Sequence, residues 1–372
     1  MIRSVLCRAA LPLSLFALLT LSSACRRQVV ETRPTIPLVR EILAEKNGPR
    51  MQLLRDLQPM PAADISIIGS DFTCERLAEQ FYFRDLQDNV DAGLQEDGLP
   101  DFAGETFSCI EDSLDYRSFI AAGQPEELRK QTVLRVLAAL DTVVHISPYD
   151  LDGLATKASS KMIVLADPFL AEYGGFDVDT LLQSLGCGVP VIRPIELMID
   201  RAFEQSGRGD LSVGIICDPR FEESGIYSKI YARKAAERGA KGASCVTFGT
   251  ADRDSVLHRF LRQYRDAGNE KPLDAILIDD LSVQPDSLKI ELAEIVSVMN
   301  ESSMTYGRLI ARNFVFLNTF DSVAEHCYAL LRENNLFTHN IAKPQVSIYR
   351  PVRKPESDDG SIILIPGSYV QN

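Results

Sequence analysis

Short apolar runs that alternate with helical patterns are the feature that most restricts the fold of this 372-residue chain. The runs are nearly continuous in apolar character, which is typical of strands covered on both faces by helices. Eight runs fit this description: ISIIGSDF (65–72), DTVVHISP (141–148), KMIVLADP (161–168), VPVIRP (189–194), LSVGIICDP (211–219), GASCVTFG (242–249), LDAILIDD (273–280) and RNFVFLN (312–318). The pattern predicts an α/β protein with mostly parallel sheet.

The runs divide into two groups of four around Gly207, and the Gly- and Ser-containing segment 201–209 is the predicted crossover between them. We therefore expect two lobes of doubly wound sheet, residues 65–207 and 208–320, with a cleft between them. Residues 321–372 are expected to form a helix and two return strands. In open α/β sheets the ligand crevice lies outside the carboxyl ends of the strands.

The first 25 residues have the composition of an export signal. Arg3 and Arg8 precede an apolar run from Ala9 to Leu21, and small residues follow up to Cys25. This arrangement predicts a signal peptide over residues 1–24. The stretch from Leu21 to Cys25 resembles bacterial lipoprotein signals, although Ser22 stands where a large apolar residue is usual.

The lipoprotein resemblance implies that Cys25 is acylated and tethers the chain to the cell envelope, facing the periplasm or the exterior. Plain secretion and an uncleaved anchor are the alternatives. Arg26 rather than aspartate follows the cysteine, as in lipoproteins sorted to an outer membrane. Residues 25–64 are polar and contain prolines, and they are predicted to be a tether with one amphipathic docking helix within 39–57.

The acidic charge balance limits the partners of the chain. The formal net charge is −13, and it becomes −15 when Arg3 and Arg8 leave with the signal. Such a chain repels nucleic acid, so no nucleic-acid partner is expected. Six cysteines remain besides Cys7 and Cys25, which permits disulfides without choosing their pairing. They are Cys74, Cys109, Cys187, Cys217, Cys245 and Cys327.

Common cofactor and metal motifs are absent from the sequence. No Cys/His spacing typical of zinc occurs, and no GxSxG elbow, Walker loop or GxGxxG follows a strand. The sequence therefore predicts neither a metal nor a cofactor. The four histidines are scattered, and His145, in an apolar run, has the character of a core residue.

The region from Leu211 to about Val296 resembles the second lobe of type I periplasmic binding proteins. The resemblance rests on VGIICDPRFEESGIYSKIYARKAAERG, a strand ending at 248–250, DRDSVLHRFLRQYRDAG and PLDAILIDD. It implies a receptor that closes on a small polar ligand between its lobes, with a membrane transporter or sensor as partner.

A weaker resemblance is to the aspartate/glutamate racemase superfamily. It rests on ISIIGSDFTCERLAEQFYFRDL, VPVIRPIELMIDRAFEQSGRGDLSVGIICDPRFEESGIY and LNTFDSVAEHCYALL, which follow in the right order. That family carries one catalytic cysteine at a strand end in each of two pseudo-symmetric domains. Here the matching strand ends read LADPF and LIDDL, with Asp167 and Asp280, and Cys187 lies before a strand. The resemblance thus implies a binding or degenerate member, and no catalytic residue is assigned.

Polar and aromatic residues near the predicted strand ends are the candidate ligand contacts. Arg193 lies in an apolar run and requires an anionic partner, either a ligand carboxylate or phosphate or a protein acid such as Glu196. Phe221 and Tyr227 suit either a ligand clamp or the core. The candidate ligand-binding residues are Asp71, Tyr149, Asp167, Arg193, Asp218, Arg220, Phe221, Tyr227, Thr250 and Asp279.

A second acidic set consists of Asp71, Glu75, Asp101 and Glu105. These residues would form a cation or acid–base site if the Gly-, Asp- and Phe-rich segment 88–111 folds over the first strand end. Otherwise Asp71 caps a helix and the other three are solvated.

Capture of a small polar ligand outside the inner membrane, for transport or sensing, is the leading functional prediction. The alternatives are an exported enzyme of racemase-like or hydrolytic type using carboxylates, and a structural envelope lipoprotein.

Overall fold

The computed structural model describes residues 33–70, 73–89, 93–249, 255–269, 271–283, 285–301, 309–340, 342–355 and 360–367. The strands are β1 (Asp64–Ser70), β2 (Thr106–Asp112), β3 (Val143–Ser147), β4 (Asp150–Thr156), β5 (Ser160–Leu165), β6 (Val191–Ile192), β7 (Ser212–Cys217), β8 (Ser244–Gly249), β9 (Leu273–Asp279), β10 (Ile310–Asn318), β11 (Gln345–Arg353) and β12 (Ile362–Pro366). The helices are α1 (Pro37–Ala44), α2 (Pro49–Leu54), α3 (Thr73–Phe83), α4 (Tyr116–Ala121), α5 (Pro125–Leu140), α6 (Gly175–Ser184), α7 (Pro194–Ser206), α8 (Pro219–Glu222), α9 (Ile226–Glu237), α10 (Val256–Asp266), α11 (Pro285–Glu301) and α12 (Thr319–Glu333). A π-helical turn, Leu170–Gly174, leads into α6.

Two mainly parallel sheets carry the fold. The first has the order β12-β11-β2-β1-β5-β6, and the second has the order β10-β9-β7-β8. All neighbouring strands in these sheets are parallel except β11 and β12, which run antiparallel. The predicted α/β class with doubly wound parallel sheet is confirmed. We call the first sheet with its helices the N-terminal lobe and the second sheet with its helices the C-terminal lobe.

The two lobes repeat one strand order. In the first sheet, β2, β1, β5 and β6 lie side by side, and in the second sheet β8, β7, β9 and β10 do the same. Numbered within each lobe, both orders read second, first, third, fourth. The switch point of such a sheet lies between its first and third strands, where connecting helices leave to opposite faces. Each lobe therefore offers one binding crevice, beside β1 and β5 or beside β7 and β9.

Buried apolar side chains join the lobes. One continuous core contains Ile68 and Ile163 of the first sheet, Met198 of α7, and Val213 and Leu277 of the second sheet. The connecting helix α7 packs against β10, α9 and α12. It ends at Gly207, whose φ of 63° is the left-handed conformation that terminates helices. The lobes are thus packed against each other around α7.

Several local predictions are wrong. The run at 141–148 is not in a parallel sheet: β3 pairs antiparallel with β4 in a separate hairpin. Its apolar residues Val143 and Ile146 stay 39 % and 51 % exposed. The predicted docking helix within 39–57 is two short helices, α1 and α2, because Gly48 and Pro49 interrupt it. Strand β2 lies at the end of the Gly-, Asp- and Phe-rich segment 88–111, where no strand was predicted.

The export prediction falls largely on residues that the structure does not describe. The signal over 1–24 and Cys25 lie outside the described residues. Among the residues described, no helix has both the length and the apolar character needed to cross a membrane. The six cysteines of the described part are all free thiols.

Candidate functional site

A cavity of about 610 Å³ opens at the carboxyl ends of both sheets. Residues that follow β1, β2 and β5 line one side, and residues that follow β7, β9 and β10 line the other. The polar residues on its wall are Ser70, Thr73, Arg76, Asp112, Ser113, Asp115, Tyr116, Arg117, Asp167, Asp218, Arg220, Tyr227, Asp279, Asp280, Ser282 and Thr319. This volume suits a small ligand, and the position is the crevice expected for parallel α/β sheets.

Asp167 lies two residues after β5, where the chain turns through Pro168 toward the π-helical turn. Its Oδ1 accepts hydrogen bonds from the backbone N–H groups of Phe169 (2.8 Å) and Leu170 (3.3 Å). The residue is 3 % exposed. Burial raises the pKa of Asp167 to about 7, and the nearby charge of Asp279 adds to the rise. The carboxyl therefore exchanges its proton near neutrality.

Asp279 ends β9 on the facing side of the cavity. The hydroxyl of Tyr227 donates to its Oδ2 at 2.8 Å, and Thr319 Oγ1 donates to its Oδ1 at 2.5 Å. Burial raises the pKa of Asp279 to about 6, although both hydrogen bonds favour the ionised form. Burial and the adjacent Asp279 also raise the pKa of Tyr227 well above its usual value, so the phenol stays protonated.

Asp280 repeats the arrangement of Asp167 in the C-terminal lobe. Its Oδ1 accepts from the backbone N–H of Ser282 (2.8 Å) and from the Ser282 hydroxyl (2.6 Å). The residue is 4 % exposed, and its Oδ2 is buried without a hydrogen-bond partner. A buried carboxylate oxygen without a donor is costly, and a substrate group or a transferred proton would satisfy it.

The structure brings together six of the candidate ligand residues. Asp167, Asp218, Arg220, Phe221, Tyr227 and Asp279 all line the cavity. Asp71 and Thr250 lie outside the described residues. The wall also includes Asp112, Asp115, Arg117, Asp280 and Thr319, which were not among the candidates. Asp280 could be found from the sequence because it lies at the polar end of a predicted strand. Asp112, Asp115 and Arg117 could not, because they lie at or after the end of β2, which was not predicted.

Two candidates are not at the cavity. The Arg193 guanidinium pairs with Asp179 (Nη2–Oδ1, 2.6 Å) and donates to the carbonyl oxygen of Gly175 at 3.1 Å. The anionic partner of Arg193 is thus Asp179 on α6, and not a ligand or Glu196. Tyr149 is 89 % exposed in the turn between β3 and β4. Neither residue contributes to the cavity wall.

Replacing Arg193 by alanine is expected to affect stability and not substrate binding. Because Asp179 is partly solvent-exposed, loss of the pair should cost about 1 kcal/mol in the free energy of unfolding. Urea unfolding of Arg193→Ala measures this cost, and Arg193→Lys, which retains the charge, should lose less. A tenfold change in affinity for any ligand of the cavity would contradict the assignment.

Two members of the second acidic set, Asp101 and Glu105, have partners away from the cavity, and Asp71 lies outside the described residues. Asp101 accepts from the backbone N–H groups of Leu86 and Gln87 and pairs with Arg84 (3.2 Å). Glu105 pairs with Lys161 before the start of β2, at the opposite end of the strand from the cavity. The part of the chain that is described holds no group of three His, Cys, Asp or Glu arranged for a metal ion.

Comparisons with known proteins identify similar structures but no sequence relatives. No family model matches the sequence, and no curated protein does. The chain is similar to glutamate racemase of Francisella tularensis in complex with D-glutamate, at 13 % identity and a TM-score of 0.46, over 78 % of this chain and 89 % of that one. A glutamate racemase isoform of Bacillus anthracis gives 12 % identity and a TM-score of 0.45, over 77 % and 88 %. Glutamate racemase of Campylobacter jejuni gives 13 % and 0.41, over 79 % and 93 %.

These comparisons correct the leading functional prediction. The similar structures named here are glutamate racemases and not periplasmic binding proteins, so the predicted receptor for transport or sensing has no counterpart among them. The description of the chain as a substrate-binding lipoprotein has no support among them. The weaker resemblance, to the racemase superfamily, agrees with the structural similarity.

Proposed function

We propose that the protein is an enzyme that inverts a carbon centre by proton transfer, with Asp167 and Asp280 as its acid–base pair. The observation that carries this proposal is the placement of two buried carboxyls, one from each lobe, on a single cavity. Each has Oδ1 fixed by the N–H of the turn after its strand. Asp167 follows β5 and Asp280 follows β9, and these are the third strands of their lobes. The two residues therefore occupy corresponding positions in the repeated strand order.

Inversion at carbon needs one group that removes a proton and another that delivers a proton to the opposite face. The ionised carboxylate takes the proton as the C–H bond breaks, and the electron pair stays on carbon. The protonated carboxyl on the other wall then supplies a proton to form the new C–H bond. No electron is gained or lost overall, and the two carboxyls exchange protonation states.

Carboxyls rather than thiols are available for this chemistry. No cysteine of the described residues lines the cavity. Cys217 is buried at the end of β7, and burial with the nearby Asp279 raises its thiol pKa far above neutrality. Asp167, by contrast, has a pKa of about 7 and is half-ionised at neutral pH. Asp279 is held by Tyr227 and Thr319, and it serves as a fixed charge beside the pair.

Deuterium exchange tests the proposal directly. The chain from Arg33 onward is incubated in D2O with single enantiomers of amino acids and 2-hydroxy acids, and NMR and chiral chromatography follow deuterium at carbon and change of configuration. We expect both to occur together for one substrate class. Asp167→Asn and Asp280→Asn should each abolish inversion, whereas Asp152→Asn, on the exposed strand β4, should not.

Two results would contradict the proposal. Incorporation of solvent oxygen into a product, without deuterium at carbon, would indicate a hydrolase. Full inversion activity in Asp280→Asn would remove the second carboxyl from the mechanism.

A further inference from the structure

Two turns of identical spacing face each other on the cavity wall. Asp115 and Arg117 follow β2 in the N-terminal lobe, and Asp218 and Arg220 follow β7 in the C-terminal lobe. In each turn the aspartate caps the next helix by accepting from the arginine N–H, at 3.2 Å and 2.9 Å. In each turn the arginine side chain also pairs with that aspartate, at 2.8 Å and 2.9 Å.

One hydrogen bond joins the two turns across the lobes. Arg117 Nη1 donates to the backbone carbonyl oxygen of Arg220. The hydrogen bond between Asp115 and Arg117 is the main cause of the lowered pKa of Asp115 and of the raised pKa of Arg117. Across the lobes Arg220 lowers the pKa of Asp115 further, while its repulsion of Arg117 exceeds the attraction that Asp218 exerts on Arg117. The contact therefore links α4 of one lobe to α8 of the other.

The turns lie at the solvent edge of the cavity. The four side chains are between 31 % and 55 % exposed, whereas Asp167 and Asp280 are almost fully buried. Behind Arg220 an aromatic contact crosses the lobes, with the rings of Phe169 and Phe221 6.0 Å apart. The turns therefore border the cavity on its solvent side, farther out than the buried carboxyls.

We propose that the two turns form an interdomain gate, in which Arg117 keeps the cavity mouth narrow by holding the carbonyl of Arg220, and releases it when the mouth widens for a ligand. The closing bond is charge-assisted and partly exposed, so it is strong enough to bias the gate and weak enough to break often. The proposal does not depend on which reaction the cavity supports.

A single tryptophan reports on the gate because the chain contains none. The Phe221→Trp variant places the only indole at the gate, and acrylamide quenching measures its exposure. Adding Arg117→Ala should raise the quenching constant about twofold or more, because loss of a charge-assisted bond increases the open population severalfold. The matched control is Arg265→Ala, which removes an equally exposed arginine paired with Asp266 on α10.

Equal quenching with and without Arg117 would overturn the gate.

Hydrogen exchange gives a test that leaves Phe221 in place. In the otherwise native chain, Arg117→Ala should speed exchange of the α8 amides, and Arg265→Ala should not. Unchanged α8 exchange in Arg117→Ala would likewise overturn the proposal. These measurements use no substrate, so failure of the proposed reaction would not alter them.

Discussion

Replacing Asp167 by asparagine is expected to abolish turnover and, at the same time, to stabilise the protein at neutral pH. The amide retains the Oδ1 acceptor for the N–H groups of Phe169 and Leu170 but neither takes nor gives a proton. General acid–base groups typically contribute 10²–10⁴ in rate, so we expect a loss of about a thousandfold in kcat.

The gain in stability follows from the direction of the pKa shift. The pKa of Asp167 is about 7 in the folded protein against 3.8 without perturbation, so the folded state holds the extra proton between these values. Stability contributed by this group is therefore lost as pH rises from about 4 to about 7. The shift corresponds to about 4 kcal/mol at neutral pH, which asparagine avoids in part.

Urea unfolding at several pH values separates the two effects. Asp167→Asn should exceed the parent by about 2–4 kcal/mol at pH 7.5, and the difference should shrink toward pH 4. Asp266→Asn, at an exposed site on α10, is the matched control and should show no such trend. A variant less stable than the parent at pH 7.5 would show that Asp167 is stabilised as a carboxylate, contrary to the mechanism.

The pH dependence of kcat in the parent protein should show the ionisation of Asp167. Where Asp167 acts as the base, kcat should rise with an inflection near pH 7, and in the reverse direction, where it acts as the acid, kcat should fall near the same pH. An ionisation elsewhere in the protein would change kcat in the same sense in both directions. A rise of kcat in one direction and a fall in the other, near the same pH, therefore identifies Asp167.

Strand ends were predictable from the sequence because covered parallel strands are continuous apolar runs that stop at a polar residue. Asp167, Asp218 and Asp279 were found in this way, and all three line the cavity. The hairpin β3–β4 was not predicted from the sequence. Its residues Val143 and Ile146 are apolar, as in a covered strand, but they remain exposed. Composition reports what a segment could bury and not what covers it.

The remaining parts of the site depend on contacts between distant segments. Strand β2 ends in Glu111 and Asp112, and the charge of Asp112 is balanced by Arg135 from α5, which no linear pattern shows. Arg193 was expected to need an anionic partner, either a ligand or a protein acid, and the partner in the structure, Asp179, lies on another helix. The unpaired Oδ2 of Asp280 and the Arg117–Arg220 contact are likewise properties of the assembled lobes.

A buried ion pair at the other end of the first sheet makes that region sensitive to the loss of either partner. Lys161 is fully buried, and its Nζ lies 2.5 Å from Oε2 of Glu105, which is 1 % exposed. The ammonium also donates to the carbonyl oxygens of Pro61 and Leu336, both at 2.9 Å. Glu105 Oε1 in turn accepts from the N–H of Thr338. Through Leu336 and Thr338, these contacts hold the segment that follows α12 against the first sheet.

Replacing Lys161 by methionine is expected to cost about 3–5 kcal/mol, because the buried carboxylate of Glu105 and two carbonyls lose their partner. Burial lowers the pKa of Lys161 and raises that of Glu105, so for both groups desolvation outweighs their attraction. An apolar pair of similar volume should therefore be tolerated. Lys161→Met/Glu105→Met should recover most of the loss seen in Lys161→Met alone, as measured by urea unfolding. If the double variant were as unstable as Lys161→Met alone, the pair and its hydrogen bonds to Pro61, Leu336 and Thr338 would instead be a net source of stability.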